Sequence, residues 1–430
     1  MALDGEAVTT AVLGGVGVIV VASWLLGAVA RRLGQPTVVG HIVAGIVLGP
    51  TLLGRLPGDP TEHLFPADAR PFLAVLSQVA IVIFMFVAGY EIDLRSLRAG
   101  GRGAAMVAVP ALAVPMGLTA GVVALFHDAF ADLRGEHAGD RSFLLFMMVA
   151  TSITALPVLA AIVRERGLAG TPAGTVATTA AGFMDVAAWV VLAAALAGTG
   201  HATRWPWPVI LLLAAGFVAV MFLVVRPLLG RWLARPAALL AEQLPIAFGL
   251  ALGSAWVTAS LGLHPVFGGF LAGLAMPRPN GMPEPEVLRP MEQSANLLLP
   301  LFFVTAGLSF DLGALDRRAL PPLGLILVIA VAGKLLPAYG AARLAGLGRH
   351  PSALVAALVN TRGLTELIAL NVGLAAGLVD AELFTALMLM ALLTTLMTGP
   401  LLAVLARPER SAPAPTAAPA DVEGTPRRSR

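Results

Sequence analysis

Asp185 stands in the middle of an apolar run, 178-TTAAGFMDVAAWVVLAAAL-196, that is long enough to cross a bilayer. A carboxylate at that depth costs about 2.5–3.5 kcal/mol on insertion scales, so such a residue marks an ion or proton site by default. Lys334, in 328-VIAVAGKLLPAYG-340, is the only lysine of the chain and also lies in mid-run. Arg362 and Glu366 are four residues apart on one helical run, hence on one face, and are expected to pair as local electrostatics. The remaining candidates are oxygen donors. In 150-ATSITALPVLAAIV-163, Pro157 has no N–H and its ring clashes with the carbonyl of Ile153, which frees acceptors beside the hydroxyls of Thr151, Ser152 and Thr154. In 360-NTRGLTELIALNVGL-374, Asn360, Thr361, Gly363 and Thr365 gather at similar depth. Free carbonyls and hydroxyls are hard ligands suited to a small dehydrating cation.

The elements that must position these groups are membrane helices. The chain has 430 residues, 58% hydrophobic and 12% charged, about half the charge of a soluble domain. No cysteine is present, which excludes disulfides and thiolate metal sites. The basic balance is read as membrane orientation and not as nucleic-acid binding. Apolar runs lie near 8–30, 36–54, 71–90, 103–126, 142–163, 172–199, 206–229, 240–261, 263–277, 292–312, 321–345, 351–377 and 380–405. That gives an all-α polytopic membrane protein of about thirteen transmembrane helices. With the N-terminus outside and the C-terminus cytoplasmic, fourteen loop arginines fall inside and seven outside, as the positive-inside rule asks. Residues 407–430, rich in Pro and Ala, are expected to be a disordered cytoplasmic tail.

An internal repeat is visible. The third run ends 86-FVAGYEIDL-94 and the tenth 303-FVTAGLSFDL-312, both Ala-Gly, three residues, then Asp-Leu. The second run reads 40-GHIVAGIVLGP-50 and the ninth 268-GGFLAGLAMP-277, sharing Gly-x-x-x-Ala-Gly and a closing proline. Matches seven helices apart require the corresponding helices to run in opposite directions. The transmembrane domain 1–406 is therefore read as two inverted six-helix repeats, about 8–199 and 240–405, joined by a linker helix near 206–229. Inverted repeats place substrate at their shared interface near the midplane. The fifth helix of each repeat is interrupted, and broken helices at matching positions favour an ion site over an ordinary proline kink. His264, in GLHPVF, is read as a structural histidine. No Ser-His-Asp set, HExxH or phosphate loop appears in the runs, so no enzyme activity and no cofactor are expected. A channel-like conduit, an ion-coupled organic-solute carrier and a sensor without transport are the rival classes. A channel would need polar groups through several helices, whereas here they gather in one layer.

The sequence resembles the monovalent cation:proton antiporter-2 family, the sodium/proton and Kef-type potassium/proton exchangers. GQPTVVGHIVAGIVLGP, FVAGYEIDL, TSITALPVLAAIVRERGL, GLHPVFGGFLAGLAMP, LLLPLFFVTAGLSFDL and NTRGLTELIALNVGL carry the likeness, from residue 35 to about 400. It implies a homodimer in the plasma membrane, with a mobile core in which two broken helices cross. It further implies that Asp185 binds Na+ or K+ and H+ in turn, that Thr151, Ser152 and Thr154 line the unwound segment beside it, and that Lys334 is the supporting base. One departure is Met184, where members with two adjacent polar residues have an acid or amide; a thioether is a poor ligand for a hard cation. The departure predicts electroneutral exchange and a Lys334 that faces Asp185 directly.

Overall fold

In lipid every backbone polar group must be satisfied within the chain, and a sequence this apolar does so by forming helices. The computed structural model describes residues 5–35, 37–91, 101–168, 170–197, 207–233, 240–278, 281–310, 312–314 and 320–405. The helices of the first half are α1 (Gly5–Arg32), α2 (Thr37–Leu48), the short α3 (Pro60–Leu64), α4 (Arg70–Glu91), α5 (Gly101–Leu125), the short α6 (His127–Ala131), α7 (Asp140–Ser152), α8 (Leu156–Glu165) and α9 (Pro172–Ala197). Then come α10 (Trp207–Val220), which runs through a π-helical turn (Met221–Val225) into α11 (Arg226–Leu233), and α12 (Leu240–Ser260). The second half continues with α13 (Pro265–Ala275), α14 (Pro285–Leu308), α15 (Leu320–Leu344), α16 (Arg349–Val359), α17 (Leu364–Ala375) and α18 (Ala381–Leu405). Each of the thirteen apolar runs coincides with one of these helices or with a consecutive set of them. Eight described segments are long and apolar enough to cross a membrane, and α13 and α17 are shorter apolar helices. The tail 407–430 lies outside the described residues.

The motif glycines show how the halves are arranged. A Cβ on Gly45 of α2 would lie 2.3 Å from the carbonyl oxygen of Phe303 on α14, and one on Gly307 of α14 would lie 2.3 Å from the Gly45 carbonyl carbon. Likewise Gly89 of α4 meets Phe270 O of α13 at 2.3 Å, and Gly273 of α13 meets Phe86 O of α4 at 2.0 Å. Two backbones approach this closely only where no side chain stands between them. The second run thus crosses the tenth, and the ninth crosses the third. Exchanging the two halves turns one contact into the other, as a two-fold relation requires.

The helices form two groups. In one, α4 packs on α13 and α14, α12 on α13, and α1 on α2. In the other, α5 packs on α15, and α9 on α5, α7 and α16, enclosing the broken pairs α7/α8 and α16/α17. At one end of this second group the loop before α7 pairs with the loop after α17. Gly135 N–H donates to Leu378 O at 3.2 Å, His137 N–H to Gly377 O at 3.0 Å, and Asp380 N–H to Leu133 O at 3.3 Å.

Candidate ion-binding site where two broken helices cross

The break between α7 and α8 lies at Ile153–Ala155, upstream of Pro157. Pro157 sits in the first turn of α8, where its missing N–H leaves no helical bond unmade. The chain is extended there, with Ile153 at φ −61° and ψ 146°, and is not a kinked continuous helix. The second break, at Asn360–Gly363, needs its glycine. Gly363 has φ +147°, and a Cβ there would stand 3.0 Å from Val158 Cγ2. The segments touch where they cross: Ala155 N–H donates to Thr361 O at 3.1 Å, and Thr154 Oγ1 donates to Val359 O at 3.0 Å.

Four half-helix ends meet at this crossing, and three of them are answered by charged side chains of the complementary kind. The end of α7 leaves the carbonyls of Ala150, Thr151, Ser152 and Ile153 without helical partners. Arg362 Nη1 donates to Ala150 O at 2.9 Å and Nη2 donates to Thr151 O. Lys334 Nζ donates to Ser152 O and, at 2.8 Å, to Ile153 O. Both cations come from the second half of the chain and are fully buried. At the opposite pole, Asp185 takes a backbone hydrogen bond from Leu156, the first residue of α8. Glu366 lies in the first turn of α17 and holds Arg362 through Oε1 at 2.7 Å. Acids therefore sit at two helix N-termini and bases at a C-terminus, the favourable sense of the helix dipole.

This arrangement corrects two expectations. The carbonyls freed at the break are not bare, because the ammonium and guanidinium groups donate to them. Nor does Lys334 pair directly with Asp185: its ammonium is spent on the Ser152 and Ile153 oxygens, although the two charges remain within electrostatic reach of one another. The hydroxyls are partly turned back on their own helix. Thr151 Oγ1 reaches Met147 O at 3.0 Å, and Ser152 Oγ reaches Met148 O. A hydroxyl that gives its proton to a carbonyl still presents lone pairs, so its capacity as a ligand survives. Met184 Sδ lies 3.9 Å from Thr154 Oγ1, which places the thioether against the crossing itself.

Several oxygens have no partner among the described residues. They include Asp185 Oδ1, Asn360 Oδ1, Thr361 Oγ1, Thr365 Oγ1 and Glu366 Oε2, all on side chains at most 1% exposed. Buried polar atoms are almost always satisfied, so an unpartnered set of acceptors concentrated on Asp185 and the second broken segment has the chemistry of an ion or proton site. Thr119 of α5 was missed from the sequence. Its hydroxyl meets Thr151 Oγ1 at 2.7 Å and is buried. Its only signal was a hydroxyl at mid-span in a run that also contains Pro110 and Pro115. His264 caps α13, its Nδ1 accepting from Val266 N–H at 3.4 Å.

The profile of the transmembrane sodium/hydrogen exchangers matches residues 17–407. The chain belongs to the sodium/hydrogen exchanger family. Among its relatives, an Arabidopsis thaliana protein named Cation/H(+) antiporter 20 is 34% identical over 91% of this chain but only 48% of its own length. A Synechocystis protein named Na(+)/H(+) antiporter NhaS4 is 33% identical over 91% of this chain and 96% of that protein. The chain thus spans about half of the plant relative and nearly all of the cyanobacterial one. In fold it is similar to the sodium proton antiporter MjNhaP1 from Methanocaldococcus jannaschii, with a TM-score of 0.67 and 15% identity over 93% of this chain and 98% of that one. An exchanger of this family is a transporter and not an enzyme.

Proposed function

We propose that this protein exchanges a monovalent cation, Na+ or K+, for H+ across the membrane by alternating access, with Asp185 holding cation and proton in turn. The observation that carries the reading is Asp185 itself. It is a buried carboxylate anchored to the N-terminus of α8, and it keeps one oxygen without a protein partner. A protonated carboxyl gives up the charge that holds a cation, and a cation-bound one gives up the site for a proton. The two occupants therefore compete. If the broken-helix group crosses between its two positions only with Asp185 neutralised, the gradient of one ion drives the other. Thr154, Thr151 and Ser152 add hydroxyl oxygens near the crossing. Lys334, Arg362 and Glu366 hold the helix ends in place, and Asn360, Thr361 and Gly363 form the second broken segment.

Because Met184 replaces a second polar ligand, the exchange is electroneutral, one cation for one proton. The working form is a homodimer in the plasma membrane, N-terminus outside and C-terminus cytoplasmic. Its repeats span about 8–199 and 240–405, with the linker helix between them. The relatives named as cation/H(+) and Na(+)/H(+) antiporters support the exchange. The test is pH-gradient-driven cation flux in proteoliposomes. Asp185→Asn is expected to abolish flux of Na+ and K+ alike, and a normal flux in that variant would overturn the reading. An equilibrium that moves with an imposed membrane potential would overturn the stoichiometry.

A further inference from the structure

Alternating access needs a barrier on each side of the ion site in turn, and the structure offers one beside Asp185 that the exchange chemistry does not use. Trp189 is one helical turn beyond Asp185 on α9, on the same face. It is 3% exposed, while Val190 next to it is 66% exposed, so the indole points inward from the bundle surface. Its ring meets Phe267 of α13 edge-on, with centroids 5.7 Å apart and planes at 86°. The two rings belong to different helix groups. α9 packs among the broken helices, whereas α13 packs on α4 and α12 through glycine contacts. The aromatic pair therefore spans the boundary along which one group would slide past the other.

The indole N–H is buried and has no acceptor among the described residues. A buried indole N–H normally finds one. An unmatched donor raises the energy of the closed arrangement. When the rings part and water enters, the N–H gains a partner, which offsets the lost ring contact. A seal made this way closes a path without being locked shut.

We infer that the Trp189–Phe267 pair is the movable seal between Asp185 and the membrane face toward which α9 ends, closed in this structure and parted when the site opens to that face. The inference rests on Asp185 being the ion site, but its test does not read transport. The chain has no cysteine, so one introduced thiol reports alone. Ala188 is fully buried between Asp185 and Trp189 in the sequence, and Ala188→Cys supplies the reporter. A membrane-impermeant methanethiosulfonate is applied to either side of vesicles carrying the full chain. In the Ala188→Cys background, Trp189→Ala and Phe267→Ala should each raise the labelling rate from the α9 C-terminal side by roughly 3- to 10-fold, the shift expected from losing one edge-on ring contact. The double variant should add little to either single one, because both remove the same contact. Trp189→Phe, which keeps a ring, should stay close to the parent. Labelling unchanged in both alanine variants, or raised equally from both sides, overturns the seal. If Trp189→Ala fails to fold, Phe267→Ala decides alone. Asp185→Asn flux and Ala188→Cys labelling are separate measurements, so either reading can fail without the other.

Discussion

Replacing Arg362 with methionine tests whether the buried charges hold the crossing together. Arg362 is fully buried, and its guanidinium pairs with Glu366 at 2.7 Å while donating to Ala150 O, Thr151 O and, at 3.4 Å, Ala330 O. Removing one partner of a buried pair costs about 3–5 kcal/mol, because the other charge is left uncompensated. Arg362→Met also strips donors from two carbonyls at the end of α7, each worth about 1–3 kcal/mol when left bare. Glu366→Gln is gentler, since the guanidinium keeps its carbonyl bonds and can still donate to the amide. Arg362→Met/Glu366→Gln removes both charges and should recover most of the pair penalty, leaving only the cost of the carbonyls. At about 2 °C per kcal/mol, Arg362→Met should lower the melting temperature of the purified protein by roughly 6–10 °C or more, with the double variant returning part of that loss. Thermal unfolding in detergent, followed by tryptophan fluorescence, measures the series. Two equally mild single variants, or a double variant as damaged as the sum of the two, would refute the view that these charges answer one another.

The other predictions concern Lys334 and the helix contacts. Lys334→Met leaves Ser152 O and Ile153 O without donors and should destabilise the protein by about 1–3 kcal/mol per carbonyl, read in the same melting assay. Gly273→Ala forces a Cβ to within 2.0 Å of Phe86 O and should lower folded yield on size-exclusion chromatography, whereas Gly121→Ala, with nothing within 4 Å, should not.

Much of this molecule was legible in its sequence, because lipid leaves a chain few choices. Long apolar runs must be helices, and the long described helices fall on them. The Ala-Gly motifs proved to be the points where α2 crosses α14 and α4 crosses α13. The i, i+4 spacing of Arg362 and Glu366 was enough to anticipate their contact. What stayed hidden depended on partners far apart in sequence. The break between α7 and α8 falls before Pro157 because Lys334 and Arg362, some 180 and 210 positions away, satisfy the carbonyls that an unbroken helix would have used. The expectation that those oxygens were free came from reading one helix without the residues that cover it. Thr119 was invisible for the same reason: nothing in a run with two prolines says which neighbour its hydroxyl meets.

The seat of Lys334 has an electrical consequence. An ammonium group is itself a monovalent cation, close to K+ in size, and here it rests on a pair of backbone oxygens with a four-carbon tether to α15. The tether keeps this group from leaving its seat to either side. It takes one acceptor position on each of two carbonyl oxygens at the end of α7. In the exchange proposed above, the travelling ion is received by side-chain oxygens, with Asp185 as its one carboxylate.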